Sequence, residues 1–492
     1  MANVQFQNAT VFRRKTMGKV QTAESVRISV KNDIAEVYSV GVENVINSCD
    51  VSEGEVTFFG KTVIKFLYND GTSIAGSTYN ADFTASIANG DISPESKFCF
   101  DVVTVDTKVD TNANTATLTI LLEVTAYAYV SDNVAYFAES DDCFVKKEGV
   151  EVLVGANAVN LPTVVDEQLS ATKNIGTVLL AESALCVCDY TNLDGVLKIS
   201  GDAVVRLTYL SEGNVVTDCL PFKFERELDA TDIPVDAQLK ITPRVRGTKV
   251  RLDIAEDSVN TNFSVEIALS VCVEQCVVGV LETVADAYGA SCDFAFARQN
   301  VTTTLPCGST VARKEISATL PLEGGKTVAT TVNTGAMVTK CTSMEKSAQV
   351  EGIVYATILY KTETGYESAP LEIPFVQNVD INYLAPQCES FANCALVDLQ
   401  IVDNGTLQVT AEICLAVDSM RDATYGLIVS AEEKPFDKKQ LPAIEVCLAH
   451  KGETLWTLAK GLHMSEEELL AVNPEISDPL EKDARIVVYN KV

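Results

Sequence analysis

Residues able to do covalent chemistry are few in this sequence, and their positions restrict them. His450 and His463 are its only histidines. A serine or cysteine nucleophile needs a neighbouring base to take its proton, and nothing before position 450 offers an imidazole. The 15 cysteines are odd in number and scattered. Cys186-x-Cys188 and Cys272-x3-Cys276 fall in strand-like stretches, where reduced thiols pack as small hydrophobes. Neither pair has the C-x2-C spacing of a zinc site, so neither a metal nor a cofactor is expected. Gly324-Gly325-Lys326 lacks the spaced first glycine and the Ser/Thr of a phosphate loop. A carboxylate pair for glycoside hydrolysis has 68 acids to draw on, but nothing singles one out. These residues predict a protein that is not an enzyme.

The elements that would position any site are repeated. Gly60-Lys-Thr-Val-Ile-Lys-Phe-Leu-Tyr68 returns as Gly201-Asp-Ala-Val-Val-Arg-Leu-Thr-Tyr209 and as Gly352-Ile-Val-Tyr-Ala-Thr-Ile-Leu-Tyr360. At period two, one face carries Thr62, Ile64, Phe66 and Tyr68, then Ala203, Val205, Leu207 and Tyr209, then Val354, Ala356, Ile358 and Tyr360. That is one buried strand face written three times, with a mixed opposite face. Each copy runs into a glycine-bearing turn at Gly71, Gly213 or Gly365. A second alternating stretch follows in each: Leu118 to Ala126, Phe263 to Val271 and Leu407 to Leu415. Between the two lies a phenylalanine, Phe83, Phe222 or Phe375, at 23, 21 and 23 residues past the glycine. The three tyrosines are expected to fill domain cores with their hydroxyls at an edge.

The glycine-to-glycine periods, 141 and 151 residues, are too long for a solenoid and suit three sandwich-sized domains strung in tandem. The expected division is a lead-in at 1–19, mobile or strand-donating, then β repeat domains at 20–155, 170–299 and 311–440. Pro162, Pro306 and Gly308 mark 157–170 and 300–310 as short linkers. The stretch from Val134 to Phe144 is echoed from Val284 to Phe294, as though wrapping from one domain to the next, with Phe436 ending a weaker third version.

Charge excludes one class of partner. The chain carries 38 basic against 68 acidic residues, a net charge of −30, and offers no basic footprint for nucleic acid. No run of 18 apolar residues suggests a transmembrane helix, and no apolar stretch follows Arg13, Arg14 and Lys15 as a secretory signal would require. With the scattered cysteines, this points to a reducing, cytoplasmic compartment.

After Pro442 the pattern changes to strand, two short helices, strand, at 443–492. Ser465 with Glu468 fits a capping box, and Asn473-Pro474 stops the second helix. Gly452-Glu453-Thr454-Leu455-Trp456-Thr457-Leu458-Ala459 and Ser465-x3-Leu469-x3-Asn473-Pro474 make this segment resemble a LysM domain. Ala449 stands where that family usually has Val, and Asp483 where it has Gly. The resemblance implies a cleft between two loops, with Gly452, Glu453, Thr454, Leu455, Asn473, Pro474, Glu475 and Ile476 binding a ligand or partner. It places Trp456, the sole tryptophan, in the small core rather than on a sugar, with His450 and His463 on the surface.

Acidic β repeats capped by a LysM also resemble the SPOCS proteins of endospore-forming Clostridia over most of 20–440. The fold expected is therefore mainly β: three tandem β-sandwich-like domains and a small βααβ LysM. That resemblance implies a structural adaptor of spore-coat assembly, made in the mother cell and placed at the forespore surface. Its LysM would dock a coat morphogenetic ATPase-type protein or another coat protein. The alternatives are a peptidoglycan or cortex glycan binder recognising GlcNAc, and a self-assembling surface or filament protein, joined by strand addition through exposed edge strands and a free N-terminal segment.

Overall fold

The computed structural model describes residues 4–489 except 142, 254–260, 290–292, 323–325, 364, 383–386 and 435–442. The described chain is mainly β, in repeated antiparallel sheets, with a short helical part near the C-terminus. No helix among the described residues is long and apolar enough to cross a membrane.

Each repeat contributes two three-stranded sheets. The first holds β1 (Val4–Ser29), β2 (Glu36–Ser52), β3 (Glu55–Asn69), β4 (Ile74–Ala88), β5 (Phe98–Asn112) and β6 (Thr115–Ser140), ordered β1-β6-β5 and β2-β3-β4. The second holds β7 (Cys143–Ser170), β8 (Thr177–Leu193), β9 (Val196–Ser211), β10 (Asn214–Asp229), β11 (Gln238–Leu252) and β12 (Asn262–Gly289). The third holds β13 (Asp293–Pro321), β14 (Thr327–Ser343), β15 (Ser347–Thr362), β16 (Gly365–Asp380), β17 (Glu389–Asp403) and β18 (Thr406–Lys434). The second and third repeats order their strands as the first does. In every repeat the alternating side chains of both sheets meet in one core, as Ile64, Phe66 and Tyr68 of β3 meet Leu118, Ile120 and Leu122 of β6.

The repeated stretches are the central strands β3, β9 and β15. Gly60 pairs with Phe83 and Gly352 with Phe375, and a Cβ on either glycine would stand 2.1 or 2.4 Å from the ring. In the second repeat Gly201 pairs with Phe224, which is buried, whereas Phe222 pairs with Ala203 and is half-buried. Phe224 is therefore the equivalent residue, not Phe222, and it restores a spacing of 23.

The repeats are not strung out. The opposite faces of the central strands, mixed in residue type as expected, are largely buried in β3 and β9 and buried at Leu359 in β15. Leu67 of β3 and Leu359 of β15 share a core with Leu179, Leu180, Val215 and Val332. All three repeats thus pack together around a common centre. The long strands extend this: β1 with β6, β7 with β12 and β13 with β18 continue past their sheets as two-stranded ribbons. A bulge skips Met17, Val154 and Cys307, each followed by a glycine (Gly18, Gly155, Gly308), near where the third strand of each sheet ends. Beyond it Val11, Val134, Val150, Val152, Val301 and Leu427 bring all three ribbons into one apolar core.

Several expectations change accordingly. Residues 4–19 are the first half of β1 rather than a lead-in, so no free segment is left there to donate. The stretches 157–170 and 300–310 lie inside β7 and β13 and are not linkers. Their prolines are tolerated because β7 and β13 are sheet edges, and Pro306 also borders a bulge. The echoed segments run through the ends of β6 and β12 into the starts of β7 and β13, and Phe436 lies outside the described residues.

Candidate functional site

The C-terminal unit is β19 (Ile444–Ala449), α1 (Leu455–Leu462), α2 (Glu466–Val472) and β20 (Ala484–Tyr489), with β19 and β20 antiparallel. Both helices are short and depend on their caps. Thr454 caps α1, its hydroxyl accepting from Thr457 N at 3.2 Å. Ser465 and Glu468 form the expected capping box on α2. Ala449, Leu455, Ala459, Leu469, Ile486 and Val488 make a core too small to be closed on its own, and Tyr288 of β12 completes it.

Seven of the eight candidate residues fall on two loops at one end of this unit, and Leu455 is the first residue of α1. Gly452 takes φ +90°, which glycine adopts without a Cβ penalty. Its N–H donates to Leu480 O at 2.8 Å, and Leu480 N–H returns to Glu453 O at 2.9 Å. Leu455 is buried, its N–H donating to Asp478 Oδ1 at 3.0 Å. The loop before α1 is thereby sewn to 478–480, which the chain reaches directly from Pro474, Glu475 and Ile476. Pro474 and Glu475 are exposed and Ile476 is half-buried.

The polar side chains of Glu453, Thr454 and Asn473 are occupied within the unit. Glu453 Oε2 accepts from His450 N at 2.7 Å, and the Thr454 hydroxyl is the α1 cap. Asn473 is buried, its amide donating to Leu469 O at 3.0 Å and Val487 O at 2.8 Å while its Oδ1 accepts from Val487 N at 2.8 Å. It ties α2 to β20. Asp483 accepts from Lys451 N at 2.8 Å, a contact that a glycine at this position could not make.

The opposite flank of the unit is fixed to the second ribbon. Trp456 Nε1 donates to Asp286 Oδ2 at 2.9 Å, and its ring meets Tyr288 edge-on at 4.9 Å between centroids. Lys460 pairs with the same Asp286 carboxylate at 2.7 Å, and Tyr288 OH donates to Met464 O at 2.8 Å. Burial pushes the Asp286 carboxyl up, but Lys460 and Trp456 outweigh it and the net shift is downward. His463 is the left-handed C-cap of α1, with Nδ1 3.2 Å from Gly289 O, so it belongs to this contact and not to an open surface.

A second cluster was not foreseen because its members lie far apart in sequence. Arg14 of β1 meets Glu274 of β12 at 2.8 Å, and Lys240 of β11 meets the same carboxylate at 2.9 Å. The guanidinium lies 4.2 Å from the Tyr127 ring and 4.9 Å from the Phe391 ring, so it touches all three repeats. Burial raises the Glu274 carboxyl, but Lys240 and Arg14 prevail and hold it at about 2. Asp418 of β18, nearby, is pushed up by burial to about 6. A cleft of about 220 Å³ opens beside these groups, with Arg244 and Asp101 paired at its edge. Because Glu274 pairs with both cations at once, the cluster serves as a lock between repeats. Glu274 inside an apolar alternation was the available signal, and a single strand could not reveal its partners.

The cysteines also depart from expectation. Cys186 of β8 and Cys414 of β18 form a disulfide, Cα atoms 6.5 Å apart, joining the second repeat to the third. A pairing over 228 residues leaves no mark in local spacing. Cys188 is exposed rather than buried, while Cys276 is buried and hydrogen-bonds with Tyr129. Compared with known protein families, curated proteins and solved structures, the chain matches none.

Proposed function

We propose that this chain is a non-enzymatic structural adaptor of endospore-coat assembly, whose C-terminal unit is a LysM domain docking a coat morphogenetic protein. Two three-stranded sheets over one core support reading each repeat as a β-sandwich, and the order β19-α1-α2-β20 supports the LysM reading. The observation that carries the proposal is the anchoring of α1 to the second ribbon through Trp456, Lys460 and Tyr288. That contact presents the two-loop end of the unit at a set orientation on a large acidic scaffold, as an adaptor requires. A partner protein is favoured over a glycan because Glu453, Thr454 and Asn473 already spend their polar groups inside the unit. Exposed Pro474 and Glu475 remain for a partner surface.

A fluorescent fusion of the full chain in sporulating mother cells tests this. Accumulation at the forespore surface, lost on deleting 443–492 or with Glu475→Lys paired with Pro474→Ala, is the expected result. Uniform cytoplasmic signal from the full chain overturns it. Saturable binding of a GlcNAc oligomer by the full chain, abolished by the same pair of substitutions, would favour the glycan reading instead.

A further inference from the structure

Three sulfurs converge where the second repeat meets the third. The Sγ atoms of Cys186, Cys188 and Cys414 all lie within 4.8 Å of one another. Cys188 is the residue skipped by the β8–β9 register between Val187 and Asp189, and the bulge holds its thiol beside the other two. A carboxylate lies beside one of them: Cys188 Sγ donates to Asp202 Oδ2 at 3.3 Å, and Asp202 stands directly across the strand pair from Cys186. Arg313 of β13 grips Asp202 and, at 2.9 Å, Glu412.

The disulfide between Cys186 and Cys414 uses two of these sulfurs and leaves Cys188 beside it. We propose that, with all three sulfurs reduced, Cys186, Cys188 and Cys414 bind Zn²⁺ and Asp202 supplies the fourth ligand. A Zn–S bond of about 2.3 Å sets the sulfurs of a tetrahedral site roughly 3.8 Å apart. That separation falls inside the observed 4.8 Å limit. Three thiolates and a carboxylate around a divalent cation leave surplus negative charge, and Arg313 is placed to offset part of it while orienting Asp202. An external dithiol gives the disulfide two electrons and two protons and is itself oxidised to a disulfide. The metal then displaces three thiol protons. Either state, disulfide or metal, ties β8 to β18.

The full chain, reduced with a dithiol and freed of it without oxygen, is titrated with Co²⁺ as a spectroscopic stand-in and then with Zn²⁺. One equivalent giving a sulfur-to-cobalt charge-transfer band, bleached by Zn²⁺, is expected. Cys188→Ser, an exposed position, should remove that band while leaving the β circular-dichroism signal intact. Asp202→Asn should weaken binding by about 10- to 100-fold. No band from the reduced chain overturns the proposal, as does an equal band from Cys188→Ser, which would show that other cysteines are the ligands.

Discussion

The indole N–H of Trp456 donates to a carboxylate oxygen of Asp286 at 2.9 Å, although the residues are 170 apart in sequence. The same carboxylate takes Lys460, so one side chain on the tip of the second ribbon holds a whole face of α1. The sole tryptophan of the chain thus reports on whether the C-terminal unit is docked.

Asp286→Ala removes both contacts and should cost docking about 1–3 kcal/mol, because a charge-assisted pair and an indole donor are lost together. Tryptophan emission should shift to the red with the β signal unchanged. An emission spectrum identical to that of the parent chain would show that the indole does not rest on the ribbon.

Glu274→Gln leaves Arg14 and Lys240 buried without their counter-charge, and should lower stability by about 3–5 kcal/mol in thermal or denaturant unfolding. The sign with pH follows from the depressed carboxyl at about 2. An unfolded glutamate titrates near the ordinary value, so the Glu274 contribution is complete above it and lost as pH falls towards 2. The shift corresponds to roughly 3 kcal/mol. The variant should lack this acid-side slope.

Asp418 should behave in the opposite sense. Its carboxyl is raised to about 6 by burial, so the fold favours the protonated form, and stability falls as pH rises from the ordinary carboxylate range to about 6. Asp418→Asn should therefore stabilise the protein at neutral pH, by about 1–3 kcal/mol, and flatten that window. A melting temperature that drops at pH 7 would contradict this.

Gly60→Ala places a methyl 2.1 Å from the Phe83 ring and should cost about 1–3 kcal/mol by overpacking. Combined with Phe83→Ala, the two changes should be non-additive, because the second removes the atoms the first collides with. Strict additivity in denaturant melts would mean the ring does not cover the glycine.

Much of the β architecture was legible because side chains alternate with period two, and β3, β9 and β15 carry that alternation on their core faces. The Ser465–Glu468 box was equally readable, since its donors and acceptors lie three residues apart. Errors arose where one residue type serves two purposes. Proline at 162 and 306 reads as a linker but also suits an edge strand, so limited proteolysis should spare 157–170 and 300–310. Phe222 and Phe224 lie two residues apart on one strand, and only the register identifies Phe224 as the partner of Gly201. Arg14 with Glu274, Trp456 with Asp286 and Cys186 with Cys414 were out of reach, because contacts over more than 150 residues are written nowhere in local pattern.

The shared apolar core of the three ribbons has a consequence for synthesis. Val11 and Val134 leave the ribosome long before Val301 and Leu427, which complete their packing. A nascent chain halted after the second repeat carries an unfinished surface, wet and prone to self-association. Emergence of the third repeat, rather than of each repeat in turn, therefore sets when this surface is closed.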